Sequence, residues 1–117
     1  MTTNGYHLTE TLLNQIEIPA AGIVSHTLFN NHDVKIVLFG FAPGQELTEH
    51  TAPMPATIQI LRGEATVTLG SETHEAGAGC LIHMLPNLPH GIIATTPLLM
   101  LLTLVKAARI PAPTKAA

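Results

Sequence analysis

The sequence predicts an all-β domain built as a two-sheet sandwich or a barrel. Three observations support this fold class. Short apolar or alternating runs recur at close intervals, glycine and proline stand between them, and no ten-residue helical pattern alternates with them. Parallel sheets need such crossover helices, so we expect antiparallel strands. The 117 residues fit one domain, 1–117, with a barrel core at about residues 23–105.

The predicted elements follow in chain order. Leu8, Leu12, Leu13 and Ile16 recur near helical spacing without a clear cap, which indicates a short N-terminal helix or arm. The pattern then becomes that of strands. The predicted strands are 23–29, 34–41, 57–61, 65–69, 72–75, 80–85, 91–95 and 98–105. We expect a flexible N-terminus before them and a flexible, proline-containing C-terminal tail after them.

Composition excludes several classes of function. The net charge is −3 and the five Lys and Arg residues are scattered, so no basic patch is available for nucleic acid or an anionic membrane. The longest apolar run, 98–105, is too short to span a bilayer. The single cysteine, Cys80, cannot form an intramolecular disulfide, and the N-terminus does not resemble a signal peptide. We therefore expect a cytoplasmic protein.

The low charge content also bears on assembly. Charged residues make up 11% of the chain, against about 25% in typical domains. Both faces of the predicted strand 34–41 carry apolar side chains, so one face can pack on the core and the other on a partner. We therefore predict a homodimer.

Residues 44–63 resemble the first motif of the cupin superfamily, G-x5-H-x-H-x(3–4)-E-x6-G. Gly44 and His50 occupy the G-x5-H positions, and Gly63 occupies the closing glycine. Glu64 and Ala65 follow, as in many small single-domain cupins of the RmlC-like type.

Residues 79–90 resemble the second cupin motif, G-x5-P-x-G-x2-H-x3-N. Gly79 and His90 match, Asn87 stands at the glycine position, and Ala94 at the final asparagine. With the strand pattern, the resemblance covers about residues 23–105. It implies a double-stranded β-helix, or jelly-roll barrel, with a cavity open at one end.

The metal site that the resemblance implies is degenerate. The family's metal is held by two histidines and a carboxylate of the first motif and one histidine of the second. Here Ala52 and Ala56 stand at the second histidine and carboxylate positions, so only His50 and His90 remain. One interpretation is a weak divalent metal site (Zn, Ni, Fe or Mn) at these two histidines. The other is that both line a cavity without a metal.

The residues around these histidines indicate a ligand pocket. Strand alternation puts Glu46, Thr48, His50 and Ala52 on one face. The predicted pocket consists of Thr48, His50, Ala52, Ala56, Ile58, Ile60, Met84, His90 and Ile92. An apolar pocket with few polar groups is typical of small-molecule sites.

Three functions remain open from the sequence. The first is a module that binds a small molecule, and the second is a metal-dependent enzyme of the dioxygenase or isomerase class. The third is an accessory barrel without a ligand. No catalytic residue is identified: His83 is expected on the outer face, and Cys80 is expected to be a buried, inert thiol.

Overall fold

The fold is nearly all β, as predicted. The computed structural model describes residues 5–106, so the predicted C-terminal tail lies outside the described residues. A 3₁₀ turn, Leu12–Asn14, forms the predicted short N-terminal helix. The strands within this range are β1 (Ile23–Asn30), β2 (Val34–Phe41), β3 (Glu46–His50), β4 (Ala56–Arg62), β5 (Glu64–Leu69), β6 (Glu72–Gly77), β7 (Leu81–Met84), β8 (His90–Ala94) and β9 (Leu98–Val105).

The strands form two antiparallel sheets. One has the order β1-β2-β9-β4-β7 and the other has the order β3-β8-β5-β6. Chain neighbours such as β3 and β4 lie in different sheets, so the chain passes repeatedly between the two layers. This is the double-sheet jelly-roll architecture, and it confirms the predicted fold class.

The main core fills the space between the sheets. Inward-facing side chains alternate along β4 and β9, where Ile60, Leu98 and Met100 are almost fully buried. Phe41 of β2 and Val67 of β5 are buried against them from the two layers. The alternation of side chains along these strands therefore directs every second residue into one shared apolar core.

A second apolar cluster lies on the outer face of the five-stranded sheet. Leu38 and Leu99 are buried there beneath Ile16 and Ile18 of the N-terminal segment. A Cβ atom added to Gly40 would lie 3.4 Å from the Ile16 side chain and from the Ile18 backbone, so the segment crosses β2 closely.

This packing corrects one argument for a homodimer. The outer face of β2 is covered by the chain's own N-terminal segment, which explains why both faces of that strand are apolar. The homodimer itself stays a prediction. Across residues 5–106, no helix has the length and apolar character needed to cross a membrane.

Candidate functional site

A small cavity opens between the two sheets beside the β3–β8 pair. Its volume is about 40 Å³, and seven of its ten lining residues have apolar side chains larger than alanine. The polar side chains in the lining are those of His50 and His90. The lining residues are Leu47, His50, Ile58, Val67, Met84, His90, Gly91, Ile92, Met100 and Leu102.

A β-bulge in β3 places His50 in this lining. Leu47 pairs with Ile92, and His50 pairs with His90, so two residues of β3 stand opposite one residue of β8. The extra residue reverses the alternation between the two pairs. Leu47 and His50 therefore reach the same cavity although they are three positions apart, and Thr48 does not line it.

Gly91 is the residue of β8 that faces the bulge. A Cβ atom at this position would lie 3.2 Å from both the Glu49 nitrogen and the Leu47 carbonyl oxygen. Because these are backbone atoms, they cannot move aside without shifting β3. The absence of a side chain at Gly91 thus allows the two histidine-bearing strands to approach.

The two histidines form a close pair whose ring centroids are 4.3 Å apart, with the rings inclined at 55°. Nδ1 of His50 lies 2.9 Å from the Thr48 carbonyl oxygen, and Nδ1 of His90 lies 2.8 Å from the Leu88 carbonyl oxygen. Since a carbonyl only accepts, each Nδ1 carries the proton and donates it. In each neutral ring Nε2 is then left with a free lone pair.

The Nε2 atoms remain open to an occupant. Neither has a hydrogen-bond partner within residues 5–106. No buried polar side-chain atom in that range lacks a partner, so Nε2 of the half-buried His90 must reach the cavity or solvent. The pair therefore carries two hydrogen-bond acceptors without a partner, on two residues that line an apolar cavity.

The second-motif loop has a geometry that explains one departure from the cupin pattern. Asn87, at the motif's glycine position, has a φ of 69°. Asparagine is one of the few residues other than glycine that tolerate this left-handed conformation. Asn87 thus adopts this conformation without being a glycine, and the next residue, Leu88, supplies the carbonyl that orients His90.

The four-ligand metal site implied by the resemblance does not fit these residues. Ala56 is buried in the main core, and the Ala52 carbonyl accepts a hydrogen bond from the Asn87 backbone N–H. Over residues 5–106 no group of three or more His, Cys, Asp or Glu side chains could hold a metal ion. Only the two imidazoles remain as donors of that set.

The predicted pocket residues separate into two groups. His50, Ile58, Met84, His90 and Ile92 line the cavity together. The other four residues lie outside the lining. Thr48 is excluded by the bulge, and Ala52 is half-buried in the loop after β3. Ala56 and Ile60 are packed in the main core.

Sequence reasoning missed five lining residues. These are Leu47, Val67, Gly91, Met100 and Leu102. Val67 pairs with Ile92, and Leu102 pairs with Ile58, so strand register would have revealed both. The positions of Leu47 and Gly91 in the lining depend on the bulge, and the hydrophobic pattern of the sequence does not indicate a bulge.

The remaining candidate residues lie away from this cavity. His83 is exposed, with its Nδ1 2.9 Å from the Thr57 hydroxyl. Cys80 packs against the main core but is only half-buried, which corrects the expectation of a buried thiol. Neither contributes to the two-histidine site.

The comparisons with known proteins agree with this architecture. Residues 37–104 match the family model described as "Cupin domain". The SPY1581 protein of Streptococcus pyogenes, a conserved protein of unknown function, is 32% identical, with a TM-score of 0.78 over 86% of this chain and 89% of that chain. An RmlC-like cupin protein from Desulfovibrio desulfuricans is 26% identical, with a TM-score of 0.76 over 86% of this chain and 98% of that chain.

The curated proteins contain no significant match to the chain. The family match nevertheless extends over more than half of the 117 residues, and each of the two cupin motifs contains one histidine of the pair. The chain belongs to the cupin family.

Proposed function

We propose that this cupin barrel is a binding module for a small, largely apolar molecule that carries hydrogen-bond donors. The observation that supports the proposal is the pair of free Nε2 acceptors on His50 and His90, two residues that line an apolar cavity. Apolar pockets with a few placed polar groups are the usual form of ligand sites.

The size of the cavity restricts the ligand. A single water needs roughly 10–15 Å³ of such volume, and the cavity offers about 40 Å³. The buried part of the ligand therefore has only a few heavy atoms. Because both imidazoles accept when neutral, a group with two N–H donors fits better than a carboxylate, which only accepts.

The test uses isobutyramide, a primary amide with a short branched tail, as the probe. Two-dimensional NMR of the methionine methyl groups reports on the cavity, because Met84 and Met100 line it and Met54 does not. We expect saturable shifts at Met84 and Met100 and none at Met54. Isobutyrate, which lacks the N–H donors, serves as the control ligand.

A variant that closes the cavity completes this test. Leu47→Phe, at the half-buried edge of the lining, should remove the isobutyramide response. The matched control Leu81→Phe adds the same ring at an exposed position and should keep it. Equal responses in the two variants, or none in the wild type, would contradict the proposal.

A second candidate function is a metal-dependent enzyme with a weak divalent ion at His50 and His90. The supporting observation is the Nδ1–H bond of each ring to a backbone carbonyl, since metal-binding histidines usually donate their other N–H in this way. Under this reading Zn²⁺ or Ni²⁺ raises the thermal midpoint of the wild type and leaves His50→Ala and His90→Ala unchanged. Metal binding competes with protons, so the shift should fade on acidification. An equal response in all three proteins would eliminate this candidate.

A further inference from the structure

The cavity contains two sulfur donors beside the two nitrogen donors. Of the three methionines within residues 5–106, Met84 and Met100 line it, and both side chains are almost fully buried. The lining residues therefore carry two imidazoles and two thioethers as possible donor groups, and no carboxylate.

The two methionines lie on the two strands that flank β4 in the five-stranded sheet. Met84 is on β7, directly paired with Ala56, and Met100 is on β9, paired with Ile60. Ala56 stands where the cupin resemblance expects a carboxylate. A soft thioether thus lies one strand away from the position where a hard oxygen ligand is missing.

We propose that this cavity binds one Cu(I) ion, held by Nε2 of His50 and His90 and by the sulfur of Met84, with Met100 as the fourth donor. Thioethers select Cu(I) among the first-row metals, whereas carboxylates suit harder ions. All four donors are neutral here, so no ligand charge offsets the desolvation of the ion. That condition favours a monovalent cation over a divalent one, because the cost of burying an ion rises steeply with its charge.

This proposal goes beyond the binding of an apolar molecule, although it uses the same cavity and the same Nε2 atoms of His50 and His90. Methionine is also a common apolar filler of cores. The experiment therefore has to separate a sulfur ligand from a methionine that merely fills space. Leucine serves this purpose because it nearly preserves the volume of methionine and removes the sulfur.

The test is an anaerobic titration of the full chain with Cu(I) in competition with bicinchoninate. All proteins carry Cys80→Ser, because a free thiol would also bind Cu(I). We expect one Cu(I) per chain, at least tenfold weaker binding in Met84→Leu and in Met100→Leu, and loss of binding in His50→Ala. Met54→Leu is the matched control, since Met54 lies outside the lining, and it should bind normally.

X-ray absorption at the copper edge gives a second readout that does not depend on affinity. We expect nitrogen and sulfur scatterers in the parent protein and fewer sulfur scatterers in Met84→Leu. Undiminished binding in both methionine-to-leucine cavity variants, or tighter binding of Zn²⁺ than of Cu(I), would overturn the proposal. Failure to bind Cu(I), with isobutyramide still shifting Met84 and Met100, would overturn it while leaving the proposed function intact.

Discussion

Gly63→Ala is expected to destabilise the protein by about 3 kcal/mol or more, the sum of a left-handed backbone penalty and an overpacking penalty. Gly63 joins β4 to β5 with a φ of 87°. An added Cβ atom would lie 2.0 Å from the Pro97 carbonyl oxygen and 2.9 Å from the Thr96 hydroxyl. The backbone has to move to relieve such contacts. Urea unfolding followed by circular dichroism measures the loss.

Gly79→Ala is the matched control for this change. Gly79 has a similar φ of 91°, but its added Cβ atom would meet nothing within 4 Å. Its cost should be only the conformational part, about 1–2 kcal/mol. Equal losses in the two variants would show that the close approach between the β4–β5 turn and Pro97 is not present in solution.

Phe41→Ala is expected to cost about 3–5 kcal/mol, the usual loss for a large aromatic truncated in a core. Phe41 is fully buried in the main core, and its ring centroid lies 6.3 Å from that of Phe39. Truncation leaves a cavity between the sheets that the surrounding side chains fill only in part. Denaturant unfolding of the variant gives this difference directly.

The control for Phe41→Ala is Leu81→Ala on edge strand β7. Leu81 is 64% exposed, so its truncation should change stability by no more than about 0.5 kcal/mol. A small effect of Phe41→Ala, comparable with that of Leu81→Ala, would mean that the two sheets do not pack around Phe41.

The strands could be predicted from the sequence because their signals are local. The predicted ranges 34–41 and 98–105 agree with β2 and β9, since both are continuous apolar runs bounded by turn residues. The hydrophobic pattern did not mark β3, because Glu46–His50 is mostly polar and exposed, and strand alternation was assumed there only to place the side chains around His50. Its place in the sheet is set by pairing with β8 and not by its own composition.

The site could be predicted only in part for the same reason. His50 and His90 were found through their motif positions, and they pair across β3 and β8. The bulge that excludes Thr48 and admits Leu47 is a property of strand register, which a hydrophobic pattern does not encode. Likewise, the covering of Leu38 by the N-terminal segment is a tertiary contact between distant residues.

The proposed function requires that His50 and His90 present free Nε2 atoms to an occupant of the cavity. Long-range ¹H–¹⁵N NMR of the imidazole rings, recorded above neutral pH with and without isobutyramide, tests it most directly. The hydrogen bonds of the two rings predict protonation at Nδ1. The proposed function predicts that both Nε2 resonances shift on saturation with the probe. Protonation at Nε2, or Nε2 resonances that do not respond to bound isobutyramide, would contradict the account.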